Sequence, residues 1–552
     1  MSLHAPIVYC IPDDTARVAR AAFPKGNAYM RMRDTLGPIY TNPEFAALFS
    51  PTGRPAEAPA QLALVTIMQF AEGLSDTQAA DAVRGRIDWK YALALDLTDD
   101  GFDASVLSEF RSRLIAGKAE LLLFETMLLL FRAQDLLTAR GRQRTDATHV
   151  LAAVQSLNRL ECVGETLRHT LNTLATVAPD WLRAWVPSVW FDRYSRRFEE
   201  ERLPPSKPAR YALAEQIGAD GHHLLLAVYH ETAPHWLREV PAVEILRRVW
   251  VQQFYAATLD QPVRWRIADD LPPAPLLISS PYDPDARYGT KRGTEWTGYK
   301  VHLTETCDDD TPNLITDVTT TPATTTDFAV LPSIQEHLAV RDLTPREQLV
   351  DAGYLSADHL VTSRTEHAID LIGPAPEDRS WQARAEDGFA AAQFVLNWEA
   401  QHATCPQGHR SVQWFPREDR HGHGAVHIRF AKATCAACPV RARCVQSATA
   451  PRGLQVRDRD PYEALQTARH RQQTERFKAQ YARRAGVEGT ISQGTRMGDL
   501  RRSRYIGLGK TRLMHLLLAA ALNFMRVAAW LAETPRSRTR QSTFAALAGA
   551  SS

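Results

Sequence analysis

The stretch Gly141–Val154 has the composition of a short strand, and the sequence on both sides of it reads as helix. A lone strand leaves its backbone donors and acceptors unpaired, so its partners must come from elsewhere in the chain. The next strand pattern begins only after Tyr288, where Thr297-Gly-Tyr-Lys-Val-His-Leu-Thr-Glu alternates. One sheet must therefore be assembled across residues 156–285, which read as a largely helical insertion. Leu167–Val177 and Val243–Tyr255 have helical spacing there, while Leu203-Pro-Pro-Ser-Lys-Pro and Leu271-Pro-Pro-Ala-Pro mark turns. No chemistry is legible in this insertion, and His222-His223 reads as packing or surface.

Beyond Tyr288 the alternation puts Lys300 and His302 on one face of a strand and Val301 and Leu303 on the other. Asp308-Asp-Asp forms the loop of a hairpin whose return strand is Asn313–Thr320. Thr326-Asp-Phe starts a helix through Leu331, Ile334 and Leu338. Gln348-Leu-Val is a brief strand ending on Asp351, and Ser356 caps the helix that follows. Strand, hairpin, helix and strand in this order predict a mixed α/β sheet.

Residues 1–135 read as helical. Pro59–Leu74 has apolar residues at helical spacing, and Ser75-Asp-Thr-Gln78 has the form of a capping box. A further helix starts at Asp103, carrying Phe110 and Leu114 inward and Arg111 and Arg113 outward. A helix-turn-helix-like DNA reader and a plain helical bundle both fit this pattern. Leu513–Leu531 contains His515, Asn523 and Arg526, so it is expected to be a buried core helix rather than a membrane span. The first residues lack the layout of a secretory signal, and a cytoplasmic protein is expected. The tail 535–552, rich in Ser, Thr and Arg, is expected to be disordered.

Net charge is only +2, but between Pro461 and Arg512 twelve Lys and Arg stand against four acids. Such a run is commonly a solvated helix face. One of its acids, Glu488, shares a helix side with Tyr481 and Arg484, at spacings of three, four and seven residues. Gly486 and Gly489 weaken that helix near the acid. Asp146 and Asp351 each sit on or at the end of a short strand, and neighbouring strands would join them across 205 residues (351 minus 146). Three carboxylates on one centre are suited to hard divalent cations.

These residues resemble those of the DDE transposases of bacterial insertion sequences: Asp146 in Thr-Asp-Ala-Thr-His-Val, Asp351 in Asp-Ala-Gly-Tyr, and Tyr481, Arg484 and Glu488 together. Gly298-Tyr-Lys-Val-His, Gly489-Thr-Ile-Ser-Gln-Gly and Arg501-Arg-Ser-Arg-Tyr-Ile-Gly-Leu-Gly-Lys are similar to that family as well. So are Gly53-Arg-Pro-Ala, Gly73-Leu-Ser-Asp and Phe110-Arg-Ser-Arg-Leu near the N-terminus. The resemblance spans roughly residues 40–533.

The resemblance implies a ribonuclease-H-like core in which Asp146, Asp351 and Glu488 are catalytic and hold two Mg²⁺ (or Mn²⁺) ions, Asp146 bridging them. It implies DNA as partner, both element ends and target, and a dimer assembled on paired ends. Lys300, His302, Tyr481, Arg484 and Arg496 are the expected DNA contacts. In the related signature a Lys follows the Glu by seven residues. Thr495 stands there in this chain, and Arg496 beside it is the expected substitute. A stand-alone ribonuclease-H-like nuclease and a non-catalytic DNA-binding relative are the alternative readings.

Cys405, Cys435, Cys438 and Cys444 form a Cys-x29-Cys-x2-Cys-x5-Cys pattern. Two thiolates on a Cys-x2-Cys turn and two more complete a tetrahedral site, so structural Zn²⁺ is expected, with an iron–sulfur cluster as the alternative. His409 reads as surface. The segments expected are thus 1–135, helical and DNA-binding; 136–155 and 286–375, the core; 156–285, the insertion; 376–460, the cysteine module; and 461–534, the Glu-bearing and last core helices.

Overall fold

The computed structural model describes residues 2–3, 9–199, 202–255, 262–291, 293–420 and 422–535. The disorder expected for the tail falls beyond Pro535, outside the described residues.

One six-stranded sheet is built from both sides of the insertion, as the isolated strand requires. Its strands are β1 (Arg142–Leu151), β2 (Arg287–Lys291), β3 (Thr294–Thr306), β4 (Ile315–Pro322), β5 (Glu347–Leu349) and β6 (Asp370–Ile372). Along the sheet the order is β2–β3–β1–β5–β6, with β4 also on β3. β3 is antiparallel to β1, β2 and β4, whereas β5 runs parallel to β1 and β6 parallel to β5. Gly298, at φ 153°, lets β3 close on β1: a Cβ there would stand 2.2 Å from the Val150 carbonyl oxygen.

The N-terminal helices include α1 (Ala28–Leu36), α2 (Pro59–Glu72), α3 (Asp76–Gly85), α4 (Ser105–Ala116) and α5 (Leu122–Ala133). α2 ends at Gly73 in the left-handed region, and the Ser75/Gln78 capping box starts α3. Arg111 departs from expectation. It is buried between helices, its Nη2 2.6 Å from Asp76, and Arg113 lies over the Phe49 ring. Neither arginine projects freely outward, so that support for a DNA-reading helix is removed. These helices share one apolar core with the sheet and the last helix, Tyr29 meeting Phe524 at 5.8 Å between ring centres.

The insertion folds on its own core, from α6 (Arg159–Val177), α7 (Lys207–Tyr229) and α8 (Pro241–Gln253). α9 (Asp327–Val340) and α10 (Ala357–His367) begin at Thr326 and Ser356, whose hydroxyls cap them as the sequence suggests. A small module with its own core follows, around β7 (Gln413–Glu418), β8 (Gly424–Arg429) and β9 (Gly453–Arg457). The chain closes with α11 (Arg459–Arg471), α12 (Glu475–Ala482), α13 (Gly486–Gly498) and α14 (Leu508–Leu531). α14 has the length and hydropathy of a membrane span, yet 78% of its apolar window is buried inside the fold. It is a core helix.

Candidate active site

Asp146 sits mid-strand on β1, opposite Leu303 of β3, and so projects from the same sheet face as Leu303 and Glu305. That face carries α13. The tie between them is a buried polar node. Glu305, with no exposure, accepts from Arg144 Nε (2.7 Å), Thr490 Oγ1 (2.6 Å) and Arg526 Nη1 (2.7 Å). Arg144 also donates to the Arg483 carbonyl at 2.6 Å. Its guanidinium lies where a side chain at Gly486 would be, 2.0 Å from a built Cβ, so any larger residue there would push Arg144 out of its place in the node. The node locks the start of α13, and with it Glu488, over β1.

α12 and α13 are joined by one 3-10 turn, Arg483–Ala485, so the regular helix is interrupted just before Gly486 and the acid. Tyr481, Arg484 and Glu488 face the same centre. Arg484 Nη2 is 2.8 Å from Asp146 Oδ2, and its Nη1 is 3.4 Å from Glu488 Oε1. Tyr481 stacks on Phe477 at 5.5 Å. Asp351 follows β5 and accepts from the Gly353 amide at 2.8 Å.

The electrostatics tie these groups together. Burial raises the Asp146 pKa, and the negative charge of Asp351 adds to the rise, while Arg484 and the Ala147 amide oppose it. Burial works against the Arg484 charge, but Asp146, Tyr481, Asp351 and Glu488 outweigh it and raise its pKa. All three acids thus bear on one guanidinium. Asp146 is held back from the solvent, whereas the Glu488 side chain is 67% exposed. Among the described residues no three His, Cys, Asp or Glu side chains are drawn tightly enough together to hold an ion.

A fourth carboxylate, Asp327, adjoins this centre. A Cβ at Gly353 would lie 3.0 Å from Asp351 Oδ1 and 3.2 Å from Asp327 Oδ2. Burial alone would raise the Asp327 pKa, but Lys291 and Lys300, each 3.2 Å away, hold it low. Sequence reasoning missed it because an acid after a Thr cap is the ordinary start of a helix.

Lys300 and His302 share a face, but in register they oppose His149 and Ala147, so that face is the reverse of the one bearing Asp146. Lys300 Nζ is spent on the Thr325 carbonyl (2.8 Å) and Asp327. His302 is fully buried, its Nδ1 2.6 Å from Tyr354 Oη, and burial lowers its pKa to about 4. No phosphate reaches it, and the expected DNA contact at His302 is withdrawn. Arg496 is exposed on α13, eight residues after Glu488 and so about 80° around the helix from it.

The four clustered cysteines line one small cavity of about 30 Å³ together with Phe389, Phe394 and Phe430. Their thiols are free and partly exposed. Burial raises the Cys444 pKa, and the other three thiols add to the rise. His409 is exposed.

Residues 404–528 match the family model described as Transposase DDE domain, and residues 17–113 match the Transposase domain (DUF772). The first match takes in the cysteines and Glu488; Asp146 and Asp351 lie before it. No curated protein and no solved structure matches the chain.

Proposed function

We propose, on the premise that the chain belongs to the insertion-sequence DDE transposases, that it cleaves element ends and transfers the freed 3′-hydroxyls into target DNA. The observation that carries this reading is that Asp146, Asp351 and Glu488, from three remote segments, all act electrostatically on the one Arg484 guanidinium. The strand order supports a ribonuclease-H-like core: three antiparallel strands, β4–β3–β1, followed by β5 and β6 parallel to β1.

The donor set fits hard divalent cations. Three carboxylates supply only oxygen ligands, and two of the acids, Asp146 and Glu488, already pair with a cation, the Arg484 guanidinium. Asp146, Asp351 and Glu488 would hold Mg²⁺ or Mn²⁺. Such ions polarise the phosphodiester, activate the attacking oxygen and stabilise the leaving one. The chain's own part is to hold the acids in place through the Glu305 node and to position DNA. Arg484 and Tyr481 at the centre and Arg496 at its edge are the phosphate-binding groups. Lys300 reaches DNA only after leaving Asp327. Water opens the phosphodiester at the element end and leaves a 3′-hydroxyl. That hydroxyl then attacks target DNA, exchanging one phosphodiester for another, so no nucleotide hydrolysis is needed.

The thiols on one cavity, in a module with little core of its own, support a structural Zn²⁺ held by Cys405, Cys435, Cys438 and Cys444. Paired ends call for a DNA-assembled dimer. The test is incubation with duplexes carrying candidate element ends and Mg²⁺, with nicking and joining read together. Both products are expected. Nicking with no joining of a precut end would instead identify a stand-alone nuclease, and DNA binding with neither product a non-catalytic relative.

A further inference from the structure

Most cations near the carboxylates are already matched. Arg471 pairs with Asp370, Arg483 with Asp309, Arg484 with Asp146 and Arg526 with Glu305. Arg501 is different. It is exposed, has no ion-pair partner among the described residues, and makes one side-chain bond, from Nε to Thr148 Oγ1 at 2.9 Å. Thr148 is two residues past Asp146 on the same face of β1, about 7 Å along the strand.

The position is built rather than incidental. The main chain at Arg501–Ser503 pairs with the end of β1: Leu151 N donates to the Arg501 carbonyl and Ser503 N to the Leu151 carbonyl, both at 2.8 Å. Ser503, 2% exposed, is pinned in turn by Thr511 Oγ1 at 2.8 Å. The Arg501 backbone is therefore fixed relative to Asp146 by bonds that its own side chain does not supply. On the helix that carries Glu488, Arg496 is exposed too, but among the described residues it has no side-chain bond to β1 that would fix it as Thr148 fixes Arg501. Thr495, two turns on from Glu488 and on its side, turns its hydroxyl back to the Ile491 carbonyl at 2.8 Å. Positive potential at this edge is felt by His149, whose pKa is lowered first by burial and then by Arg501 and Lys291.

We propose that Arg501 is a DNA phosphate contact of the reaction centre, gripping the strand backbone next to the phosphate that Asp146 addresses. The inference rests on the function proposed above. With Nε on Thr148, both terminal nitrogens of the guanidinium stay open and can donate together to the non-bridging oxygens of one phosphate. Thr148 is then a positioning residue, setting the plane of that fork.

The test uses the full chain with element-end duplexes and follows binding by anisotropy over a salt series, alongside nicking with Mg²⁺. R501Q is expected to lower the log–log salt slope by about one and to slow nicking by about tenfold or more. R501K is expected to keep the slope but not the full rate, and T148V to slow nicking with the slope unchanged. Neutralising single phosphates as methylphosphonates should locate the contact: one position near the cut should weaken wild-type binding but not R501Q. Mn²⁺ binding by R501Q should equal that of wild type, which separates this role from the carboxylates. R501Q with wild-type slope and nicking would overturn the assignment alone. A wild-type chain that neither nicks nor binds element ends would overturn the function reading, and this inference with it.

Discussion

Arg484 Nη2 lies 2.8 Å from Asp146 Oδ2, and the other arm of the same guanidinium reaches Glu488. A side chain expected to grip DNA therefore stands, without DNA, among the acids expected to hold metal. Two unit charges about 4 Å apart near a protein surface interact by roughly 4 kcal/mol, and partial exposure reduces this. R484A should accordingly bind Mn²⁺ more tightly in the absence of DNA, by about tenfold or ~1.4 kcal/mol, while binding element ends more weakly. Calorimetric titration of Mn²⁺ into both proteins checks this, and equal affinities would show that Arg484 does not compete with the ion.

The Glu305 node should matter to both folding and activity. Glu305 is fully buried and faces two arginines, so removing its charge leaves Arg144 and Arg526 uncompensated. E305Q should lose about 3–5 kcal/mol of stability, the range for breaking a buried charge network from one side. Denaturant unfolding measures it, and a loss below ~1 kcal/mol would mean that the node does not anchor α13.

His515 gives the fold a pH signature. It is fully buried on α14, its Nδ1 2.8 Å from Thr320 Oγ1, and burial pulls its pKa down to about 4. The unfolded imidazole titrates near 6.5, so between those values the unfolded chain binds more protons. The stability from the neutral ring is complete above about pH 6.5 and is lost as pH falls through about 4. Relative to H515Q, the wild type should lose on the order of 3 kcal/mol between pH 7 and pH 4. Unfolding midpoints of the pair across that range read it out, and a constant difference would contradict the burial argument.

The cysteine module should depend on its metal. Protein purified without oxygen is expected to carry one zinc per chain, and C435S with C438S to lose it. The doubly substituted chain should be cut by protease around β7–β9 while the main core persists, because that module has only a small core of its own. A metal-free wild type with equal protease resistance would remove the zinc assignment.

Much of this arrangement is legible in the sequence where the signal is local. The caps at Ser75, Thr326 and Ser356 and the shared side of Tyr481, Arg484 and Glu488 depend on spacing along one element. What requires register or packing is not legible. Alternation shows that Lys300 and His302 share a face, but only the pairing of β3 with β1 decides that it is the reverse of Asp146's. Arg111 has the spacing of an outward residue, yet Asp76 on a neighbouring helix draws it in. Glu305 and Asp327 look like ordinary strand and helix-start acids until their long-range partners are known. Arg501 owes its position to a bridge with Leu151, 350 residues earlier (501 minus 151).

The proposed mechanism depends most on the three acids acting as one centre. The direct measurement is strand cleavage of an element-end duplex with Mg²⁺ by D146N, D351N and E488Q, each shown by anisotropy to bind that duplex. All three are predicted to bind it nearly as wild type does and to leave it uncut. Wild-type cleavage by any one of them would remove that residue from the centre and contradict the shared-carboxylate mechanism.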